Sequence, residues 1–252
     1  MEIKALHYNE LELLFYYAKV EMWDIEKVHI LALFEAHPDD FLVAHEAEKL
    51  IGFILAIKYT DNFGFISTFL VLKEHRGEGY GKNLFNHALS HLEDRQVALD
   101  SNQKDIYLYE EYGFKAYFDV VNYMHLSFNN KKDESKVKFI ELSDEVFLVK
   151  KDVYMKSILQ SKEVHYKSIV RNNKISSYAF SYKYIDGYKI SINTDCIDDA
   201  KALFIYLSNV YAEGTKIYIQ ASKLNQVFIE LVNYFSMKEY SKSTRMYNKV
   251  LD

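Results

Sequence analysis

One cysteine, one proline and eight glycines among 252 residues remove several explanations at once. A lone cysteine, Cys196, excludes an internal disulfide and any cysteine-rich zinc cluster, so stability must come from packing and no metal is expected. No apolar run approaches the roughly 18–20 residues that a membrane span needs, which leaves no membrane partner to expect. No block of lysine or arginine is long enough to form a nucleic-acid groove, and the formal net charge is −5; DNA and RNA are therefore poor partners. The first residues, MEIKALHYNELELLFYY, carry carboxylates early and lack a small-residue cleavage site, so they do not read as a secretory signal and a cytoplasmic address is expected.

What is present is globular: 49% hydrophobic and 27% charged residues, in a length that suits two domains better than one core. Tyrosine (22) and phenylalanine (17) are abundant, and we read them first as packing residues. The spacing of Leu11, Leu14, Phe15, Ala18 and Met22 predicts an amphipathic helix from Asn9 to Met22, with Trp23 at its end. A second helix, Ile25–Ala36, stops before the turn at Pro38. Extended runs Phe41–His45, Leu50–Tyr59 and Gly64–Leu72 predict an antiparallel meander. Then follow a helix over Lys82–Leu92, a strand Val97–Asp100, a short helix Asp105–Tyr112 stopped by Gly113, and a strand Phe114–Leu126. The polar stretch 129–136 is the expected linker between domains at 1–128 and 137–252. Beyond it the order partly repeats: helix Glu145–Ser161, strands Val164–Arg171, Lys174–Tyr184 and Tyr188–Asn193, helix Ile197–Tyr211, strand Lys216–Gln220, helix Asn225–Phe235 and a last strand near Thr244–Lys249. This predicts a degenerate second copy.

The chemistry concentrates between Val71 and Leu84, where an apolar strand runs through Arg76-Gly77-Glu78-Gly79-Tyr80-Gly81-Lys82 straight into a helix. Glycines remove β-carbons where a backbone must approach an anion, and the N–H groups of a helix start point the same way. Arg76 and Lys82 add positive charge. A nucleotide phosphate loop needs Ser or Thr after Gly-Lys, but Asn83 stands there, and a dinucleotide fingerprint needs an initial βαβ unit, which a meander does not supply. In the second half the equivalent stretch is Thr194-Asp195-Cys196-Ile197-Asp198-Asp199, whose carboxylates suit a helix cap and would repel a pyrophosphate. No cofactor is expected there.

Arg76-x-x-Gly79-x-Gly81, preceded by Val71 and followed by Leu84, resembles the acyl-coenzyme A loop of the GNAT superfamily of N-acyltransferases. The likeness continues in Asn102 and in Leu108-Tyr109-Glu110-Glu111-Tyr112-Gly113-Phe114. The layout is similar to two-domain members with a degenerate C-terminal half, often ending in an arginine-methionine pair such as Arg245-Met246. The resemblance implies an α/β (α+β) fold of two GNAT-like domains, each a mixed, mostly antiparallel sheet flanked by helices. It implies an acetyltransferase using acetyl-CoA and a primary amine, small-molecule or protein, with direct transfer in a ternary complex; the alternative is a non-catalytic acyl-CoA-binding sensor or interaction module. By the same resemblance, amides from Arg76 through Gly77, Glu78, Gly79, Tyr80 and Gly81 to Lys82 cradle the pyrophosphate, and Asn102 contacts the pantetheine arm or fixes the splayed strands. Backbone at Phe69, Leu70 and Val71 bonds the acyl carbonyl, and Tyr109 protonates the departing thiolate. A phenol, protonated at neutral pH, suits that task.

Three departures stand out, one of them Asp105, which stands where the family often has a small residue. Lys73 replaces a common proline, and the strand before the loop carries no glutamate to act as base, which leaves water held by Ser67, Thr68 or Asp100, or an amine that arrives neutral. Trp23 is a candidate substrate wall or a core anchor. His75 is read as a solvent-facing neighbour of Arg76, and Cys196 as a small hydrophobe. A homodimer is compatible with everything above.

Overall fold

A computed structural model describes the chain except residues 24, 129–130, 133–138, 141–152, 173 and 250–252. It divides into two compact units, Met1–Phe118 with Ser243–Asp252, and Asp119–Lys242.

The first unit opens with strand β1 (Glu2–Ala5), helices α1 (Leu11–Val20) and α2 (Lys27–Ala36), and strands β2 (Phe41–Glu46), β3 (Lys49–Lys58) and β4 (Phe63–Val71). It continues with α3 (Tyr80–Leu92), β5 (Gln96–Ser101), α4 (Ile106–Glu110) and the start of β6 (Lys115–Leu126). Strand β1 has no counterpart in the sequence reading: four residues with alternating exposure give too short a pattern to separate from a loop. β1 to β4 pair antiparallel in order, and β4 then pairs parallel with β5. Period-two alternation sends Leu42, Ala44, Ile54, Ala56, Ile66, Val97 and Leu99 to one face, where α3 lays Leu84, Phe85, Ala88 and Leu92 on them. These four are at most 1% exposed, and burial of each large one stabilises the fold by roughly 1.5–3 kcal/mol. Alternate residues Phe41, Phe53, Leu55 and Ile57 are buried on the other face, where Phe34 of α2 meets Phe41 edge-on at 5.2 Å.

The second unit repeats this order with β7 (Phe139–Ile140), α5 (Val153–Gln160), β8 (His165–Arg171), β9 (Lys174–Tyr184), β10 (Gly187–Asn193), α6 (Ile197–Ser208), β11 (Lys216–Ser222), α7 (Gln226–Tyr234) and the start of β12 (Lys238–Tyr247). Its neighbours β7 to β10 are antiparallel and β10 to β11 parallel, as in the first unit. Its core gathers Leu203, Phe204 and Leu207 of α6 with Phe228, Leu231 and Val232 of α7. Of the helix expected over Glu145–Ser161, Val153–Gln160 is helical, and residues 145–152 lie outside the described residues, as do 129, 130 and 133–136 of the expected linker.

The units do not follow the sequence division at 1–128 and 137–252. From Asp119 onward β6 pairs antiparallel with β11, and Thr244–Tyr247 of β12 pair antiparallel with Ser101–Ala98 of β5. The first unit therefore takes its final strand from beyond the whole sequence of the second, whereas the second takes β6 from the residues at its own start. Local composition carries no trace of such pairing, because both strands have ordinary β patterns and only long-range hydrogen bonding assigns them a sheet.

Candidate functional site

The site grows from a fault in β4. Pairing with β3 runs from Lys58↔Gly64 to Leu55↔Ser67, then resumes one step out of phase at Phe53↔Leu70. Ile54 alone faces Thr68 and Phe69, a β-bulge, and Thr68 takes φ +47°, a conformation that a β-branched residue adopts only where surrounding structure enforces it. Gly52 makes the return possible: a β-carbon there would stand 2.2 Å from the Leu70 carbonyl oxygen. Beyond the bulge β4 leaves its other neighbour too. The parallel pairing with β5 ends at Ile66↔Leu99, although β4 runs to Val71 and β5 to Ser101. The two strands splay from this point.

Past Val71, a 3-10 turn (Lys73–His75) leads into the glycine loop. Gly77 and Gly79 both have φ +85°, and a β-carbon on either would meet nothing within 4 Å, so the loop is open above its backbone. Gly79 is the N-cap of α3, and its carbonyl accepts from Asn83 N–H at 3.2 Å. The N–H groups from Gly77 to Lys82 have no protein acceptor among the described residues. They sit at the positive end of a helix of 13 residues. Free amides, an open loop and no side chain in the way fit a pyrophosphate. Lys82 and Glu78 are exposed. Arg76 is committed locally, its Nε donating to the Val71 carbonyl at 2.8 Å and its Nη2 pairing with Glu21 at 2.7 Å. Tyr80 donates its hydroxyl to Glu46, and that bond holds its phenol pKa up at about 12.

Phe85 ties the parts together. Its ring lies 5.6 Å from Phe69, 5.5 Å from Tyr109 and 4.5 Å from Tyr112, so one α3 side chain links the end of β4 to α4. The Gly81 β-carbon position is 3.4 Å from Val71 and 3.5 Å from Phe69, which seats the first turn of α3 on the strand end. Tyr109 is half-buried, and burial, followed by the charge of Asp105, raises its pKa. Its hydroxyl has no partner among the described residues. Asn102 is exposed directly after β5; its carbonyl accepts from Ser101 Oγ at 2.9 Å and from Asp105 N–H at 3.0 Å, leaving its carboxamide unengaged among the described residues.

The remaining sequence candidates scatter. Ser67 is half-buried in β4, opposite Leu55. Trp23 is 39% exposed just past α1, its N–H on the Ala18 carbonyl. Asp100 is not a lone carboxylate: Arg245, its cross-strand partner, holds both oxygens. Glu21, Glu46 and the bulge at Thr68 were invisible in sequence, since ordinary surface carboxylates and a strand threonine carry no local signal.

Two family models match, an acetyltransferase (GNAT) family over residues 6–114 and an acetyltransferase (GNAT) domain over residues 139–251. The chain belongs to the GNAT acetyltransferases. Comparison with curated proteins gives no match. Among solved structures, the GNAT chain is similar to a putative acetyltransferase from Pyrococcus horikoshii at TM-score 0.76 and 15% identity, covering 99% of this chain and 89% of that one. It is also similar to a tandem GNAT protein from the clavulanic acid biosynthesis pathway at TM-score 0.64 and 11% identity, over 100% and 99% of the two chains. A third likeness is to a GCN5-related N-acetyltransferase from Sphaerobacter thermophilus, TM-score 0.65 and 11% identity, over 98% and 94%. At such identities these similarities establish the fold.

The second GNAT domain treats its equivalent helix start differently. Asp199, wholly buried, pairs through both oxygens with Arg171 and accepts from Ser177 Oγ at 2.5 Å. The sequence suits Asp198 and Asp199 to capping; the N-cap is Cys196, with no side-chain cap bond, and Asp199 is instead the buried half of an ion pair. Among the described residues no cluster of His, Cys, Asp and Glu could hold a metal, and no helix is long and apolar enough to cross a membrane.

Proposed function

We propose that the first domain transfers an acetyl group from acetyl-CoA to a primary amine in a ternary complex. The observation that carries this reading is the row of unpaired amides from Gly77 to Lys82, set where β4 has parted from β5. Acetyl-CoA supplies the activated acetyl thioester. The loop amides hold its pyrophosphate, Asn102 steadies the pantetheine arm, and main-chain N–H of the bulged segment Phe69–Val71 steadies the acyl oxygen. Tyr109 keeps its proton at neutral pH because burial disfavours the phenolate, and gives it to the leaving sulfur. In each turnover one C–N bond forms and one C–S bond breaks; the sulfur leaves as free thiol, the proton lost by the amine passes to water, and Tyr109 takes a proton back from solvent. The second domain, with a carboxylate of its own at the α6 start, serves as a non-catalytic partner. The acceptor is a small-molecule or protein amine, the address cytoplasmic.

One observation favours the other reading, an acyl-CoA sensor: no free carboxylate lies on β4, and Asp100 is held by Arg245. Calorimetric titration of acetyl-CoA, with thiol release measured against an amine panel for wild type and Tyr109→Phe, decides between them. Binding with Tyr109-dependent turnover supports the transferase; binding with no turnover on any amine supports the sensor; absence of binding overturns both.

A further inference from the structure

Asp100 is the first β5 residue beyond the last β4 partner, Leu99. Because side chains alternate along a strand, and Leu99 packs into the α3-side core, Asp100 projects to the opposite face, at the point where β4 and β5 separate. Arg245, directly across on β12, brings Nε to one carboxylate oxygen at 2.5 Å and Nη2 to the other at 3.0 Å. Its guanidinium lies over the Phe65 ring at 4.9 Å and near that of Phe118 at 5.8 Å. These aromatic contacts restrain the cation without consuming its N–H donors. Both side chains keep 22% of their surface exposed.

A pin between two strands needs only burial or pairing. This pair is partly open, and it places a fixed cation and a fixed anion side by side next to the splay. We propose that Asp100 and Arg245 recognise the acceptor as an α-amino acid, with the carboxylate on Arg245 and the amino group drawn to Asp100. The proposal rests on the transferase reading above. A guanidinium has five N–H donors; Asp100 engages Nε and one Nη2 hydrogen and the Tyr247 hydroxyl takes one more, which leaves two donors for a carboxylate. An α-amino acid carries its two charges as close together as the pair does, so each finds its opposite at once. A simple monoamine meets Asp100 alone, and a lysine side chain in a protein brings no carboxylate within the same reach. Asp100 draws the amine as a counter-ion and hydrogen-bond acceptor; the attacking nitrogen still loses its proton to water.

The test compares thiol release from acetyl-CoA with the common α-amino acids, their carboxamides and their decarboxylated amines, using the full chain. Acids should be preferred in kcat/KM by roughly 10- to 100-fold over the matching carboxamide, the size of one charge-assisted bond. Arg245→Gln should remove that preference by raising KM for acids, and Arg245→Lys should keep part of it; acetyl-CoA titration run alongside shows whether each variant retains a folded loop. Should Arg245→Gln fail to fold, the wild-type comparison decides alone. Equal or better use of carboxamides and amines overturns the proposal while leaving the transferase standing. Acetyl-CoA binding with no acceptor used at all overturns both.

Discussion

Tyr109 and Asp199 show opposite uses of burial. Burial raises the Tyr109 pKa, with the charge of Asp105 adding to it, so the phenol remains a proton donor above its ordinary value of 10. Tyr109→Phe should lower kcat by roughly 10²–10⁴-fold, the usual weight of a positioned acid. Acetyl-CoA affinity should stay within about 2-fold by calorimetry, since the ring and its Phe85 contact remain. The alkaline limb of the wild-type kcat profile should lie above the ordinary phenol value and vanish in the variant. For Asp199, burial alone would raise the pKa, but Arg171 and Ser177 outweigh it and hold it below 3.8. A depressed carboxylate contributes stability above its unfolded pKa and loses it as the pH falls through the folded one, so this contribution is intact at neutrality and disappears below about pH 4. Asp199→Asn should cost roughly 2–3 kcal/mol in urea melts at pH 7. That is less than the ~3–5 of a fully buried pair, because Arg171 is 47% exposed and can rehydrate.

At the scale of elements, the loop and α3 act as one piece. Gly79 has φ +85°, and replacement by valine forces a branched side chain into the left-handed region and sets it over the loop amides. Gly79→Val should weaken acetyl-CoA binding by at least about 10-fold in titration, while strain limits the loss of stability to roughly 1–3 kcal/mol; unchanged affinity would remove the loop from the site. The glycine spacing and the helix after it were legible in sequence because both are local: a turn needs particular φ values, and an amphipathic stripe needs only one period. The bulge that opens β4 was not legible. It depends on Gly52 in another strand leaving room for the Leu70 carbonyl, and on nothing unusual in the local pattern of β4 itself. The Asp100–Arg245 pair likewise joins residues 145 positions apart.

For the whole molecule, the return of β12 makes the first unit depend on distant sequence. In the first unit Met246 is 0% exposed in the core, Thr244 accepts from Gln103 Nε2 at 2.6 Å, and Asn248 Oδ1 accepts from Val97 N–H at 2.7 Å. A chain cut after residue 242 should therefore lose cooperative melting of the first unit and leave the β5 edge unpaired. Thermal melts followed by near-ultraviolet circular dichroism check this; an unchanged melt would mean that β12 only decorates the sheet. A fragment of residues 1–128, which a division by sequence would suggest, should fail in the same way.

The sequence by itself determined the family, the order of nearly all helices and strands, and the position of the glycine loop, because each rests on local spacing, turn chemistry and apolar period. It also separated the half with the loop from the half without it. Only the tertiary structure decided which sheet receives β6 and β12, how β4 parts from β5, and that Asp100, Asp199 and Arg76 are already engaged by partners. Those outcomes depend on hydrogen bonds and ion pairs between residues far apart in the chain. Strand pattern is the same whichever partner a strand finds, and a carboxylate reads the same in sequence whether it faces water or a guanidinium.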